Sequence, residues 1–112
     1  MTELIITKPD DMHLHLREGD VLKHACSDTE RQFARAIVMP NLKTPIKSVK
    51  QAEKYYQDIK KFTTHSNFEP LMTLFFNDAL DEEEIKKVSN SDIIHGIKLY
   101  PSGVTTNSND GV

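Results

Sequence analysis

Residues 11 to 17 read Asp-Met-His-Leu-His-Leu-Arg, and three of them can meet on one side of the chain. In an extended strand successive side chains alternate between faces. His13, His15 and Arg17 then share one face, while Leu14 and Leu16 take the other. At about 3.3 Å per residue the two histidine Cα atoms stand about 6.6 Å apart. Imidazoles rising from that baseline can converge on one ion, with metal–nitrogen bonds of about 2.0–2.1 Å. Arg17 offers a planar fork for a carboxylate at the strand's end. The same pattern also suits two solvated histidines on an edge strand. The alternating leucines ask for a core beneath them and so favour a built site.

Lys98 is the second chemical oddity, since it lies between Ile97 and Leu99 in an apolar run. Lysine is almost never fully buried without a partner. It can snorkel from an edge strand, or pair with a core acid. The third reading is chemical: a low-dielectric pocket depresses a lysine's pKa, and only the neutral amine attacks carbon dioxide to form a carbamate. A carbamate is an anionic, two-oxygen ligand long enough to bridge two metal ions about 3.5–4 Å apart.

The elements that must position these groups follow a regular rhythm. Residues 4–7 read as a short strand closed by Pro9, and the histidine strand over 11–17 follows at once. Asp20 is placed as the N-cap of a helix in which Val21, Leu22, Ala25, Thr29 and Phe33 recur at helical intervals. Residues 36–39 form a short apolar run ended by Pro40-Asn41, which fits a strand buried on both faces. Ser48 caps an amphipathic helix with Val49, Ala52, Tyr56, Ile59 and Phe62 on one side. After a polar link over 63–67, residues 71–76 form a third strand. Acids at 81–84 and lysines at 86–87 suit the dipole of a helix whose charged face is simply solvated. Residues 93–100 form a fourth strand stopped by Pro101, and residues 102–112 read as a polar loop.

That order is β-α-β-α-β-α-β with near-continuous apolar strands. It predicts parallel strands joined by right-handed crossovers, with functional groups at the strands' carboxyl ends. Arg17, Asn41, Lys98 and Tyr100 fall there.

Composition bounds what the chain can do. Its 112 residues suffice for one domain, taken as residues 1–112, at 38% hydrophobic and 28% charged. A net charge of −3 and a pI near 5.9 argue against a nucleic-acid or anionic-membrane partner. The single cysteine, Cys26, rules out an internal disulfide and reads as a buried thiol. No apolar run approaches the ~20 residues of a membrane span, and the start lacks a secretory pattern, so the expected compartment is the cytoplasm.

Four blocks then stand in order: His13-Leu14-His15-Leu16-Arg17, Val38-Met39-Pro40-Asn41, Pro70-Leu71-Met72-Thr73 and Lys98-Leu99-Tyr100-Pro101, followed by Thr105-Thr106-Asn107-Ser108. Together they resemble dihydroorotase, in its short, stand-alone bacterial type within the amidohydrolase superfamily. The resemblance covers nearly the whole chain; His-x-His alone would indicate only the superfamily.

The resemblance implies an α/β fold, the first half (about four βα units) of a (β/α)8 TIM barrel with parallel strands. It implies reversible cyclisation of N-carbamoyl-L-aspartate to dihydroorotate in pyrimidine biosynthesis, with two zinc ions as cofactor. His13 and His15 correspond to ligands of the more buried zinc, and Lys98 to the carboxylated bridging lysine. Arg17 and Asn41 correspond to residues that hold the substrate's carboxylate, and Thr105 and Thr106 to a loop that closes over it. A complete barrel typically takes about 250 residues. The second zinc's two histidines and the general-base aspartate are expected beyond Val112; His24, His65 and His95 do not match those positions. The 112 residues alone are therefore expected to be inactive, and to self-associate or require a carboxyl-terminal half to cover the open sheet. Two other readings share the scaffold: a hydantoinase- or allantoinase-like cyclic amidohydrolase, and a non-catalytic half-barrel that works by oligomerising.

Overall fold

A computed structural model describes residues 2–112. The elements run β1 (Asp10–Leu14), α1 (Gly19–Gln32), β2 (Arg35–Val38), α2 (Val49–Lys61), β3 (Glu69–Phe75), α3 (Glu82–Ser89) and β4 (Ile94–Lys98). The strands form one parallel sheet in the order β1-β2-β3-β4, as the alternating pattern requires. Such a sheet with its crossover helices is the amino-terminal part of a TIM barrel.

The core lies between the sheet and the helices. Leu16 and Cys26 meet Ala36 and Val38 of β2, Ala52, Tyr55 and Ile59 of α2, and Met72 and Leu74 of β3. Each large aliphatic side chain buried there contributes about 1.5–3 kcal/mol. Burial also pushes the Cys26 thiol up to about 12, with Glu30 adding to the effect, so it is an inert core group.

Helix α2 starts where Ser48 Oγ accepts from the Gln51 amide at 3.1 Å, and α3 where Asp81 Oδ1 accepts from the Glu84 amide at 2.8 Å. The acidic run of α3 does more than solvate a face. Glu84 Oε1 accepts from the Val49 amide at 2.6 Å, so one helix caps the next. No residue of α3 is buried.

Four local expectations are corrected. Residues 4–7 form no strand: Leu4, Ile5 and Ile6 are exposed, because no strand among the described residues lies beside them. Asp20 is not the N-cap; Glu18 is, and it supplies no side-chain cap, because Gly19 already joins the helix and carries Asp20 into its first turn. The strand with the histidines ends at Leu14, and Arg17 has a left-handed φ of 56°, so it sits in the turn instead of continuing the strand's face. In α2, Tyr55 is buried while Tyr56 is half-buried with its hydroxyl donating to Glu69.

Two irregularities in the sheet matter more. Asp11 pairs with Ala36 and Leu14 with Val38, so two residues of β1 stand against the single Ile37. Ile94 pairs with Met72 and Gly96 with Thr73, so β4 also carries an extra residue, His95. Each bulge changes which face the following residues present. Beyond them, Leu14 and Ile97 share the core-side register of Val38 and Leu74, and Lys98 takes the register of Phe75 on the opposite face.

Candidate functional site

At the carboxyl ends of the strands, His13, His15, Lys98, Tyr100 and Thr105 line one cavity of about 290 Å³. Leu16 drops into the core on one side of β1's end, which turns His15 the other way. The two Nε2 atoms stand 3.0 Å apart, and the rings tilt at 51° with centroids 5.0 Å apart. Two nitrogens bound to one ion at about 2.0–2.1 Å in tetrahedral geometry lie about 3.3 Å apart, so the pair fits a single metal ion. Among the described residues no cluster of three His, Cys, Asp or Glu forms around it. Lys98 lines the same cavity as the pair.

Burial holds the His15 imidazole below its usual pKa; the charges of Arg17, His13 and Lys98 add to this and the nearby Asn41 amide opposes it. Its Nδ1 is buried without a hydrogen-bond partner among the described residues. A neutral imidazole is the form that binds metal. The Lys98 ammonium lies 5.9 Å from the centre of the Tyr100 ring. Lys98 is half-buried, whereas its neighbours Ile97 and Leu99 are 40% and 55% exposed. Those two do not sit in a closed core, because β4 is an edge strand of the sheet.

Asn41 is 1% exposed and ties several segments together. Its Oδ1 accepts from Tyr100 Oη at 3.1 Å, and its Nδ2 donates to the Thr106 carbonyl at 2.8 Å. Its own carbonyl accepts from Arg17 Nη1 at 3.0 Å and from Asn107 Nδ2 at 3.1 Å. Arg17 is thus tied to Asn41, and its own carbonyl accepts from Tyr55 Oη at 2.8 Å. Of the two threonines, Thr105 lines the cavity, whereas Thr106 contributes its backbone carbonyl to Asn41.

The polar stretch over 101–112 is closed on itself. The Val112 amide donates to the Tyr100 carbonyl at 2.9 Å, and the Ser102 amide to the Val112 carbonyl at 2.8 Å. A side chain at Gly111 would collide with the Tyr100 carbonyl, so only glycine fits this closure. Buried Ser108 donates to the Thr105 carbonyl at 2.7 Å, and Lys47 pairs with Asp110 at 2.7 Å. Asn107, Ser108 and Gly111 were not singled out as site groups from sequence, because each contacts the site through backbone or over a long separation. A larger cavity of about 600 Å³ opens between α1 and α2, lined by Leu22, Leu42, Ile46 and Tyr55 and by none of His13, His15 or Lys98. His24, His65 and His95 are not among the residues lining the histidine–lysine cavity.

Parallel βα units with polar groups gathered at the strands' carboxyl ends define a TIM-barrel-type protein. Comparison with known proteins narrows this. No family model matches the chain. The mitochondrial dihydroorotase of Oryza sativa subsp. japonica is 51% identical over 113 residues, covering 100% of this chain and 28% of the relative. The dihydroorotase of Cupriavidus taiwanensis is 53% identical over 111 residues, covering 98% and 32% respectively. Among solved structures, the dihydroorotase of Campylobacter jejuni superposes with a TM-score of 0.86 at 45% identity, covering 94% of this chain and 30% of that one. The dihydroorotase of Saccharomyces cerevisiae in complex with 5-fluoroorotic acid gives 0.85 at 31% identity, covering 93% and 28%. The chain is similar to dihydroorotases and aligns with their amino-terminal part. It spans about a third of the length of the curated relatives it matches.

Proposed function

We propose that this chain forms the metal-binding side of a dihydroorotase, acting in the reversible cyclisation of N-carbamoyl-L-aspartate to dihydroorotate in pyrimidine biosynthesis. The observation that carries this is the convergence of His13 and His15 Nε2 at 3.0 Å in a cavity shared with Lys98. His13 and His15 would hold zinc through neutral imidazoles. As a neutral amine, Lys98 would attack carbon dioxide, forming an N–C bond as one C=O electron pair moves onto oxygen. The nitrogen would release a proton to solvent; the product is an anionic carbamate that could serve as a metal ligand. Zinc held there would supply Lewis acidity and acidify water.

The chain's other groups orient the substrate. Arg17 and the Asn41 amide donate to a carboxylate, and Thr105 and Thr106 close the polar loop over the cavity. Substrate binding has to displace or share the Asn41 contact with the Thr106 carbonyl. The second zinc's histidines and the general base are proposed to come from outside residues 1–112, supplied by further barrel strands or an associated chain. No helix of the described residues is long and apolar enough to cross a membrane, which accords with a cytoplasmic enzyme of small molecules.

The test is metal content and lysine chemistry. Purified chain supplied with zinc and bicarbonate should hold zinc stoichiometrically and carry one added CO2 on Lys98, with no dihydroorotate turnover by itself. A chain that holds neither zinc nor CO2 overturns the reading in favour of a non-catalytic scaffold, which the lack of a three-residue His/Cys/Asp/Glu cluster among the described residues favours. Turnover of hydantoin or allantoin instead of dihydroorotate, in a complete barrel, would assign a related cyclic amidohydrolase.

A further inference from the structure

We propose that Tyr100 is a positioning residue that holds the Asn41 amide beside the cavity lined by Lys98, an inference that rests on the function proposed above. Tyr100 stands between the two halves of the site. Its ring stacks on Phe75 with centroids 4.8 Å apart and planes 13° from parallel, and it is almost wholly buried. Phe75 is itself in register with Lys98, so strand pairing fixes the ring relative to the lysine. The Lys98 Nζ stands 5.9 Å from the ring centre, and both side chains line the same cavity.

The hydroxyl has a separate task. A side-chain amide can turn over and exchange its oxygen for its nitrogen, and only its partners decide which way it points. Tyr100 Oη donates to Asn41 Oδ1, while the Thr106 carbonyl, which can only accept, takes Nδ2. The acceptor-only Thr106 carbonyl sets which way the amide points, while the Tyr100 hydroxyl, which can donate or accept, holds the amide's oxygen end in place. A substrate carboxylate at the Thr106 position would accept from Nδ2 in the same way. Tyr100 is then the side chain that keeps the amide at that spot.

The two tasks are separable by substitution. Tyr100→Phe keeps the ring and removes the hydroxyl; Tyr100→Leu removes both. With the full chain loaded with zinc and dihydroorotate as the probe, Y100F should bind the probe about fivefold more weakly, at unchanged zinc affinity. Its Asn41 side-chain NH2 resonances should shift in the ligand-free protein. Y100L should also lower zinc uptake, and a purely structural role would move zinc, probe and stability together in both variants. Asn41→Asp tests the same contact from the other partner and should lose probe binding while retaining zinc.

Equal probe affinity in wild type and Y100F, unshifted Asn41 resonances, or full probe binding by N41D would overturn the proposal. A wild-type chain that takes up neither zinc nor dihydroorotate defeats the functional reading instead. The Asn41 resonances, which need no ligand, then still decide whether Tyr100 holds the amide: a shift supports it and no shift overturns it.

Discussion

The two ends of the sheet both carry polar groups but treat some of them differently. At the amino ends every named group has a protein partner. Asp10 pairs with Arg35 at 2.6 Å, and buried Glu30 accepts from the His65 amide at 3.1 Å and from Ser66 Oγ at 3.2 Å. Lys8 Nζ donates to the Glu30 carbonyl at 2.7 Å, and Tyr56 to Glu69 at 3.2 Å. At the carboxyl ends, His13 and His15 turn toward each other in a cavity that Lys98 also lines, and His15 Nδ1 is buried without a partner among the described residues. Buried polar groups are ordinarily satisfied within the protein. Satisfied groups at one end are structure; convergent, unsatisfied ones at the other mark a place for a ligand.

Substitutions at the two ends should therefore separate metal affinity from stability. The largest effect belongs to the histidines: His13→Ala or His15→Ala should weaken zinc binding by about 100-fold or more in chelator competition, since even supporting partners of metal ligands are worth 10–100-fold. The thermal midpoint of the metal-free chain should hardly move. Glu30→Ala should do the reverse. It leaves the His65 amide and the Ser66 hydroxyl without their acceptor, and urea unfolding should register a loss of about 2–3 kcal/mol at unchanged zinc affinity. If Glu30→Ala weakened zinc as much as His15→Ala does, the contrast between the ends would fail.

Acid should act at both ends, at different pH. The His15 pKa is lowered in the fold, so protonation is harder there than in the unfolded chain. Its contribution is complete above the unfolded value of about 6.5 and is lost as pH falls through the lower folded value. Melts of the metal-free chain from pH 7.5 to 5 should show this decline, and His15→Gln should flatten it. The smallest effect is at Asp10, whose carboxyl the Arg35 hydrogen bond holds below the usual range. Its stabilisation is present above about pH 4 and lost below, so Asp10→Asn and wild type should converge in acid melts. The pair is solvent-exposed, which keeps its effect small.

The βα rhythm, the parallel strand order and the Ser48 cap were legible in the sequence because periodicity and capping are local properties. The pairing of His13 with His15 was legible for the same reason, since they lie two residues apart on the same side of Leu14. The contacts of Asn41 with Arg17, Tyr100, Thr106 and Asn107 were not, as they span 24 to 66 residues of chain. Nor did the acidic run announce that Glu84 would cap another helix.

Lys98 marks the boundary most sharply. Counted by simple alternation from Ile94, its side chain falls on the core face, beneath the helices. The extra residue at His95 resets that count through pairing with β3, and the bulge in β1 does the same for the histidines through pairing with β2. Residue types and local periods set which groups this chain offers for chemistry. Which way they face depended on register between strands distant in sequence, and only the assembled sheet could fix that.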